Sequence, residues 1–538
     1  MTNKITLLDC TMRDGGYYND WDFPLPLARQ YVEALADSGV PIIELGFRFP
    51  PRGQSLGPFA HTPEWLINLL DLPEGPVYGV MLNAGDYLGP DGIDLIDRAF
   101  VSAAQSRIDL VRIAAHLRQV SACQPIVQRL ASMGYRVGFN IMQASEAAND
   151  DVLRDLAGIV AGFGPAVEVL YFADSLGNMT PEDVTRIAGL FRSQWDGPLG
   201  FHGHDNIGLG VANAIAAVNA GITWIDGTVT GMGRGAGNAQ TEYLLIEAER
   251  RGWADVSPVP VHTLAAGPFA ELQRTYGWGK NVFYYAAGIH SVHPTYVQDM
   301  LGEARFATAD IISMIDLLAA VGGGASFKAK GIEQALAARF RDGVGTADLC
   351  GMWADQQVFM VADGQSAAGH WSALRSFAKQ GGAKIMTVNQ PAFVDPIDVD
   401  AVVCVHPARL LALLSNRAWA KVPVILPLAA FPGRLATDAA QKLSTLNYGI
   451  RVEPGHVSIT ATGCTLPVPL AGAYGWCVAA AAGASRLYLA GFDGYDGRSQ
   501  EFRDMEAAIT LLRENISIPV HALTPTLYTL PTTSLYAL

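Results

Sequence analysis

Apolar, β-branched-rich runs of five or six residues recur through the first part of the chain, and helix-length amphipathic stretches such as 27–38 and 181–191 separate them. Eight runs stand out, at 5–9, 42–47, 77–82, 110–114, 137–141, 167–172, 199–204 and 224–228. Runs with apolar residues on both faces of a period-two pattern read as strands buried on both sides, and their alternation with helices reads as a parallel sheet. Eight such repeats in about 240 residues are the arithmetic of an α/β fold, a closed (β/α)8 TIM barrel.

The rival is an open doubly wound sheet, whose signature would be a Gly-x-Gly-x-x-Gly turn after the first strand. Here the first run ends in Thr11-Met12-Arg13-Asp14-Gly15-Gly16 instead. Polar residues close nearly every run: Arg13 and Asp14, Glu44 and Arg48, Asn83, Arg112, Asn140, Asp174, His202 and His204. The C-terminal ends of the strands are where barrel enzymes place their active sites.

Beyond residue 258 the period lengthens, and helices are predicted at 308–321 and 332–340. The pattern resets near 343–355, where a second α/β unit starts with a strand at 357–362, a turn at 363–366, a helix and a strand at 384–388. The predicted organisation is a barrel at 1–258, a helical appendage over its mouth at 259–345 and a Rossmann-like α/β domain at 350–538.

Composition narrows the function. Acidic residues outnumber basic ones by 51 to 37, a formal net charge of −14 without a compensating basic block, so nucleic acid is not an expected partner. The Gly- and Ala-rich run at 471–484 is short of the roughly 18 to 20 residues that cross a bilayer, and no membrane span is expected. The chain opens on a strand without the features of a secretory signal, so the mature protein is expected to start there. Six cysteines (Cys10, Cys123, Cys350, Cys404, Cys464, Cys477) lie scattered in apolar contexts without a Cys-x-x-Cys pair, which predicts reduced thiols and a cytoplasmic location.

The candidate chemistry begins at Phe201-His202-Gly203-His204. Residues i and i+2 of a strand point to one face, so both imidazoles can serve one ion, although two histidines near a turn can also be simply hydrogen-bonded. Asp14 at the end of the first strand would face the barrel axis at the same height, close to the seventh strand through the eighth. The loop Gly231-Met232-Gly233-Arg234-Gly235-Ala236-Gly237-Asn238 is flexible enough to turn an amide inward, or is a Gly-rich connector. Lys4 is the sole lysine before Lys280, which disfavours a Schiff-base aldolase.

Leu8-Asp9-Cys10-Thr11-Met12-Arg13-Asp14-Gly15-Gly16, Ile43-Glu44-Leu45-Gly46, Ala173-Asp174-Ser175-Leu176-Gly177, Gly203-His204-Asp205-Asn206 and Gly233-Arg234-Gly235-Ala236-Gly237-Asn238-Ala239 resemble, in order, the motifs of the DRE-TIM metallolyase superfamily. That superfamily includes 4-hydroxy-2-oxovalerate aldolase, HMG-CoA lyase, isopropylmalate synthase and homocitrate synthase. The resemblance implies that Asp14, His202 and His204 bind a divalent metal with Asn238 as fourth or near-ligand. It further implies that Arg13 holds an enolate oxygen and that Glu44 is the motif carboxylate near the substrate. Mn²⁺ or Mg²⁺ suits such oxygen and imidazole donors with open positions, with Zn²⁺ or Co²⁺ as alternatives. The implied activity is a pyruvate-type aldolase acting on a 2-oxo acid with an aldehyde or acyl partner, in a homo-oligomer. Its alternatives are an acyl-CoA-dependent Claisen synthase or HMG-CoA lyase-like enzyme, and a catalytically silent scaffold.

The chain departs from the hydroxyoxovalerate aldolases where a histidine follows the Arg-Asp-Gly motif, because Tyr17 and Tyr18 stand there. Tyr17, or His290 and His293 of the appendage, are the candidate proton carriers in its place. The second unit resembles bacterial sialyltransferases with a single Rossmann-like domain and pterin-kinase-like domains. Asp363-Gly364-Gln365-Ser366 stands where the former carry Gly-x-Gly-x-Ser. That resemblance implies a nucleotide or nucleotide-sugar site at Gly364, Ser366 and Asn389, and a packing or assembly module is the alternative.

Overall fold

The structure is a computed structural model that describes residues 4–51, 53, 55–302, 308–320, 340, 343–431, 433–495 and 500–538. These fall into two compact units, one up to Asp299 and one from Met300 onward.

The first unit is the expected barrel. Strands β1 (Thr6–Asp9), β2 (Ile42–Phe47), β3 (Val77–Asn83), β4 (Leu110–His116), β5 (Arg136–Met142), β6 (Val169–Asp174), β7 (Leu199–Gly203) and β8 (Trp224–Gly227) close in sequence order, with β1 paired to both β2 and β8. All neighbouring pairs are parallel. The strand ends move by at most two residues from the sequence pattern, since a polar cap reads on a sequence as the end of a run while the ladder continues through it.

The period of two sorts the interior into layers. Leu8, Ile42, Leu110, Val169, Tyr171 and Trp224 fill the lower barrel with apolar volume. Two residues further along the same strands come Glu44, Arg112 and Asp226, all buried. Glycines make the room: a Cβ on Gly200 would fall 2.4 Å from the Tyr171 ring, and one on Gly138 would fall 3.0 Å from the Arg112 side chain. An apolar plug thus carries a buried ionic layer, and that layer is the floor of the candidate site.

Within the first unit, the helical segment 259–299 covers this end of the barrel. Trp278 Nε1 donates to the Thr230 carbonyl (3.1 Å), the Tyr18 and Tyr284 hydroxyls meet at 3.1 Å, and Gln298 Nε2 donates to the Tyr17 carbonyl (3.0 Å). Thr308–Ala320 is helical, as the sequence predicts. Residue 321 and the predicted helix at 332–340, apart from Phe340, lie outside the described residues.

The second unit is built on a seven-stranded parallel sheet. Its strands are β9 (Gln357–Val361), β10 (Lys384–Val388), β11 (Ala401–Val403), β12 (Val424–Leu426), β13 (Thr445–Asn447), β17 (Arg486–Ala490) and β18 (Val520–Ala522), in the order β13-β12-β11-β10-β9-β17-β18. A smaller sheet joins β14 (Gly449–Val452), β16 (Gly463–Leu466) and β15 (Ser458–Thr460). Val358 and Met360 pack to one side of β9, Phe359 and Val361 to the other, so beyond Gln357 the strand is apolar on both faces. The small-residue helix Ala471–Ala481 lies close on the sheet, where a Cβ on Gly475 would fall 2.5 Å from the Met360 sulfur.

Candidate active site

Cys10 leaves β1 and the chain turns at once into the short helix Thr11–Asp14, which brings Arg13 and Asp14 over the barrel axis. Both are buried, at 5% and 2% exposure. His202 on β7 and His204 just after it point to the same face, their Nε2 atoms 3.8 and 3.5 Å from Asp14 Oδ2. Neither Nε2 has a hydrogen-bond partner among the described residues, though both are buried.

The opposite ring nitrogens explain that orientation. His202 Nδ1 donates to Asp226 Oδ2 (3.0 Å) and His204 Nδ1 donates to the Asp174 carbonyl (2.9 Å), so each ring has its Nε2 lone pair directed at the Asp14 carboxylate. Burial pushes His204 down to about 3, against the pull of Asp14, and the ring is neutral. Burial would raise the Asp14 carboxyl, but Arg13 foremost, then His204, His202 and Arg234, hold it below the ordinary carboxylate range. An ionised Asp14 carboxylate and a neutral His204 imidazole are protonation states that suit a metal. Asn238 Nδ2 donates to Asp14 Oδ2 (2.5 Å), and its buried Oδ1 is unpartnered. The ligand atoms of Asp14, His202 and His204 lie within 4.8 Å of one another, so the residues present fit a divalent ion.

A second trio, Cys10, His202 and Asp226, converges as closely. Burial raises the Cys10 thiol well above its ordinary range, and its sulfur leans 3.6 Å from the Gly227 carbonyl. In that trio Asp226 Oδ2 already accepts from His202 Nδ1 and Arg112 Nη1, which leaves the Asp14 trio as the better site.

Glu44 does not lie open to a substrate. Its carboxylate accepts from Arg13 Nε (2.8 Å), Arg112 Nε (2.7 Å) and Arg112 Nη2 (2.8 Å). Arg112 also donates to Asp226 Oδ2 through Nη1 (2.7 Å) and stacks 4.9 Å over Tyr171. Arg13 donates through Nη1 to Asp14 Oδ1 (2.7 Å), and its buried Nη2 has no partner. The floor is therefore an ionic network that fixes Arg13 and His202 together. Arg112 and Asp226 were given no role by the sequence reasoning. Their signal was a charge inside an apolar strand, two residues from a core position.

The structure separates the two appendage histidines. The helix Val282–Ile289 ends at His290, which is exposed, and Ser291 turns the chain at φ +51 so that His293 is buried. Burial, then Arg234, His204 and His116, lower the His293 ring well below its ordinary range, which places it among these groups. Tyr17 is half-buried, packed edge-on against Trp21 and Phe47, with the Arg234 guanidinium 5.0 Å from its ring centre.

In the second unit, Gly364 and Asn389 line a cavity of about 280 Å³ at the C-terminal ends of β9, β10 and β17. Asn389 has φ +58 and a buried, unpartnered Oδ1. The Ser366 N–H donates to Asp493 Oδ2 (3.0 Å) and its hydroxyl donates to Asp493 Oδ1. The donors expected to face a phosphate are thus held by a carboxylate 127 residues away in sequence.

The HMGL-like family model matches residues 99–264. An oxaloacetate decarboxylase of Mycobacterium tuberculosis is 33% identical over 248 residues, 46% of this chain and 70% of the relative. A 4-hydroxy-2-oxovalerate aldolase of Pelotomaculum thermopropionicum is 32% identical over 253 residues, 46% of this chain and 71% of the relative. Among solved structures, the N-terminal domain of a candidate aldolase from Bacteroides vulgatus aligns with a TM-score of 0.51 at 30% identity, covering 56% of this chain and 97% of that domain.

Proposed function

The chain belongs to the HMGL-like (DRE-TIM) family of lyases, whose aldolases use a divalent metal, and from that premise we propose that it is a pyruvate-type aldolase, making or breaking a carbon–carbon bond through an enolate. The observation that carries the reading is the pair of inward, unpartnered Nε2 atoms of His202 and His204 beside the ionised Asp14.

Asp14, His202 and His204 would hold the ion, with Asn238 steadying the carboxylate. Two imidazoles, a carboxylate and room for oxygen ligands suit Mn²⁺ or Mg²⁺. A divalent ion there supplies Lewis-acid polarisation of a 2-oxo acid's keto group. The rest of the chemistry belongs to side chains. Arg13 is fixed by Glu44 and Asp14 and keeps Nη2 for the oxygen on which negative charge develops. A donor held in place before the reaction needs no reorganisation as that charge appears. Decarboxylating oxaloacetate and cleaving 4-hydroxy-2-oxovalerate both leave an electron pair on C3 of pyruvate, so the names of the two relatives describe one intermediate reached from two substrates. His293 is favoured over His290 as proton carrier, because it is buried beside His204 and Arg234 while His290 faces solvent.

The test is pyruvate release, coupled to lactate dehydrogenase, from 4-hydroxy-2-oxo acids and from oxaloacetate, with and without chelator. Chelator-sensitive pyruvate formation without free thiol release from an acyl-CoA is the expected result. CoA release without pyruvate turnover would instead favour a Claisen synthase.

A further inference from the structure

Arg234 stands apart from the other buried and half-buried arginines around the barrel mouth, whereas Arg118, after β4, is exposed to solvent. Arg13 is neutralised by Asp14 and Glu44, Arg112 by Glu44 and Asp226, and Arg48 by Glu64. The Arg234 side chain has neither an ion pair nor a hydrogen bond among the described residues, and its Nε is buried. Its guanidinium lies 5.0 Å from the Tyr17 ring centre. An unpaired, half-buried guanidinium in a chain of net charge −14 is a cation held in reserve.

The loop fixes where that cation stands. A Cβ on Gly233 would lie 2.9 Å from Asp14 Oδ2 and 2.4 Å from Asn238 Nδ2, so the backbone just before Arg234 abuts the ligand set. Gly235, at φ +69, touches Pro294 next to His293, and the Tyr18 hydroxyl donates to its carbonyl (2.8 Å). Arg234 is thereby pinned between the ligand carboxylate and the covering segment, and its field reaches Asp14, His204, His116 and His293. His116, at the end of β4, has its Nδ1 2.9 Å from Gln143 Oε1. Once an ion engages Asp14, Arg234 faces added positive charge and no counter-charge.

We propose that Arg234 is a specificity residue for the second substrate, and that the acceptor is an aldehyde carrying an anionic oxygen group, a carboxylate or a phosphate. The proposal rests on the pyruvate-aldolase reading above. Its planar fork can take two anionic oxygens side by side, which fixes an aldehyde by its far end and leaves the carbonyl directed toward the ion. In the condensation pyruvate C3 loses a proton, its electron pair forms the bond to the aldehyde carbon, and the aldehyde oxygen takes up a proton.

The experiment uses the full chain with added Mn²⁺ and measures condensation of pyruvate with acetaldehyde, glyoxylate, glycolaldehyde and glycolaldehyde phosphate. Deuterium exchange into the pyruvate methyl group is read alongside. The native protein should prefer an anionic aldehyde to its neutral counterpart by about tenfold or more in kcat/KM, the size of one charge-assisted contact. Whether glyoxylate or the phosphate leads tells which anion the site takes. Arg234→Gln should erase most of that preference through KM, and Arg234→Lys should restore part of it. Equal kcat/KM for charged and neutral aldehydes in the native protein would overturn the proposal. So would an Arg234→Gln loss that is the same for every aldehyde and for exchange, since the residue would then serve pyruvate itself. Absence of methyl exchange in the native protein would instead remove the aldolase reading, and the acceptor assignment with it.

Discussion

Replacing Asp226 by asparagine removes a charge and almost no volume from the floor of the site. The carboxylate is 2% exposed, and its Oδ2 receives both His202 Nδ1 (3.0 Å) and Arg112 Nη1 (2.7 Å). An amide oxygen in the same place keeps both contacts but weakens them. The His202 bond falls from roughly 1.5–3 to roughly 0.5–1.5 kcal/mol, while the Arg112 bond stays charge-assisted through its guanidinium and loses only its ion pair, so the barrel should lose about 1–2 kcal/mol of stability. The site should suffer separately, because His202 loses the carboxylate that fixes its tautomer and raises the basicity of Nε2. Partners of this kind are worth about 10- to 100-fold in metal affinity, or about 1.4–2.7 kcal/mol. Calorimetric titration of metal-stripped protein with Mn²⁺ measures the second effect, and chemical denaturation in chelator the first. An Asp226→Asn protein with native Mn²⁺ affinity would refute the reasoning, because His202 would then need no carboxylate behind it.

Arg13→Lys should keep bound metal and lose about 10²–10³ in turnover, since an ammonium cannot span Glu44, Asp14 and a substrate oxygen; metal analysis beside steady-state kinetics checks both halves. Burial raises the Asp174 carboxyl to about 7, against N–H donors from Asn178, Met179 and Gly177. Its folded pKa therefore lies above the unfolded value of about 3.9, so its contribution is full below that value and is lost as pH rises through about 7. The stability difference between the native protein and Asp174→Asn, read by thermal unfolding, should accordingly shrink from about pH 5 to about pH 8, a comparison that cancels the raised Glu242 and the lowered His204 and His293. Because Asp493 occupies the Ser366 donors, nucleoside mono- and diphosphates should bind the full chain no more tightly than about millimolar, and tighter calorimetric binding would show that the carboxylate yields to phosphate.

Much of this was legible in the sequence, for reasons that mark the limits of such reading. The barrel was legible because the strands are largely apolar on both faces and nearly all carry a polar residue at or close to their C-terminal ends, a pattern that survives without knowledge of neighbours. Asp14, His202 and His204 were legible because strand period and motif both speak locally. Glu44 was located correctly, but its engagement with Arg13 and Arg112 depends on which inward residues of β2 and β4 meet across the barrel. Asp226 escaped for the same reason, being paired with a side chain 114 residues distant. The choice between His290 and His293 turned on one left-handed residue, Ser291, which no propensity singles out. In the second unit, the turn at Gly364 to Ser366 was seen as a turn, while the Asp493 carboxylate that fills it comes from the far side of β17 in sequence.

The central claim is that the Asp14, His202 and His204 trio supports formation of a pyruvate enolate with Arg13. Proton NMR of pyruvate in D₂O with the full-length protein tests this without knowledge of the acceptor. The account predicts that the methyl signal decays with Mn²⁺ or Mg²⁺ present, stops decaying in chelator, and persists in His204→Ala and Asp14→Asn. Exchange that continues in chelator, or at the native rate in both variants, would contradict it.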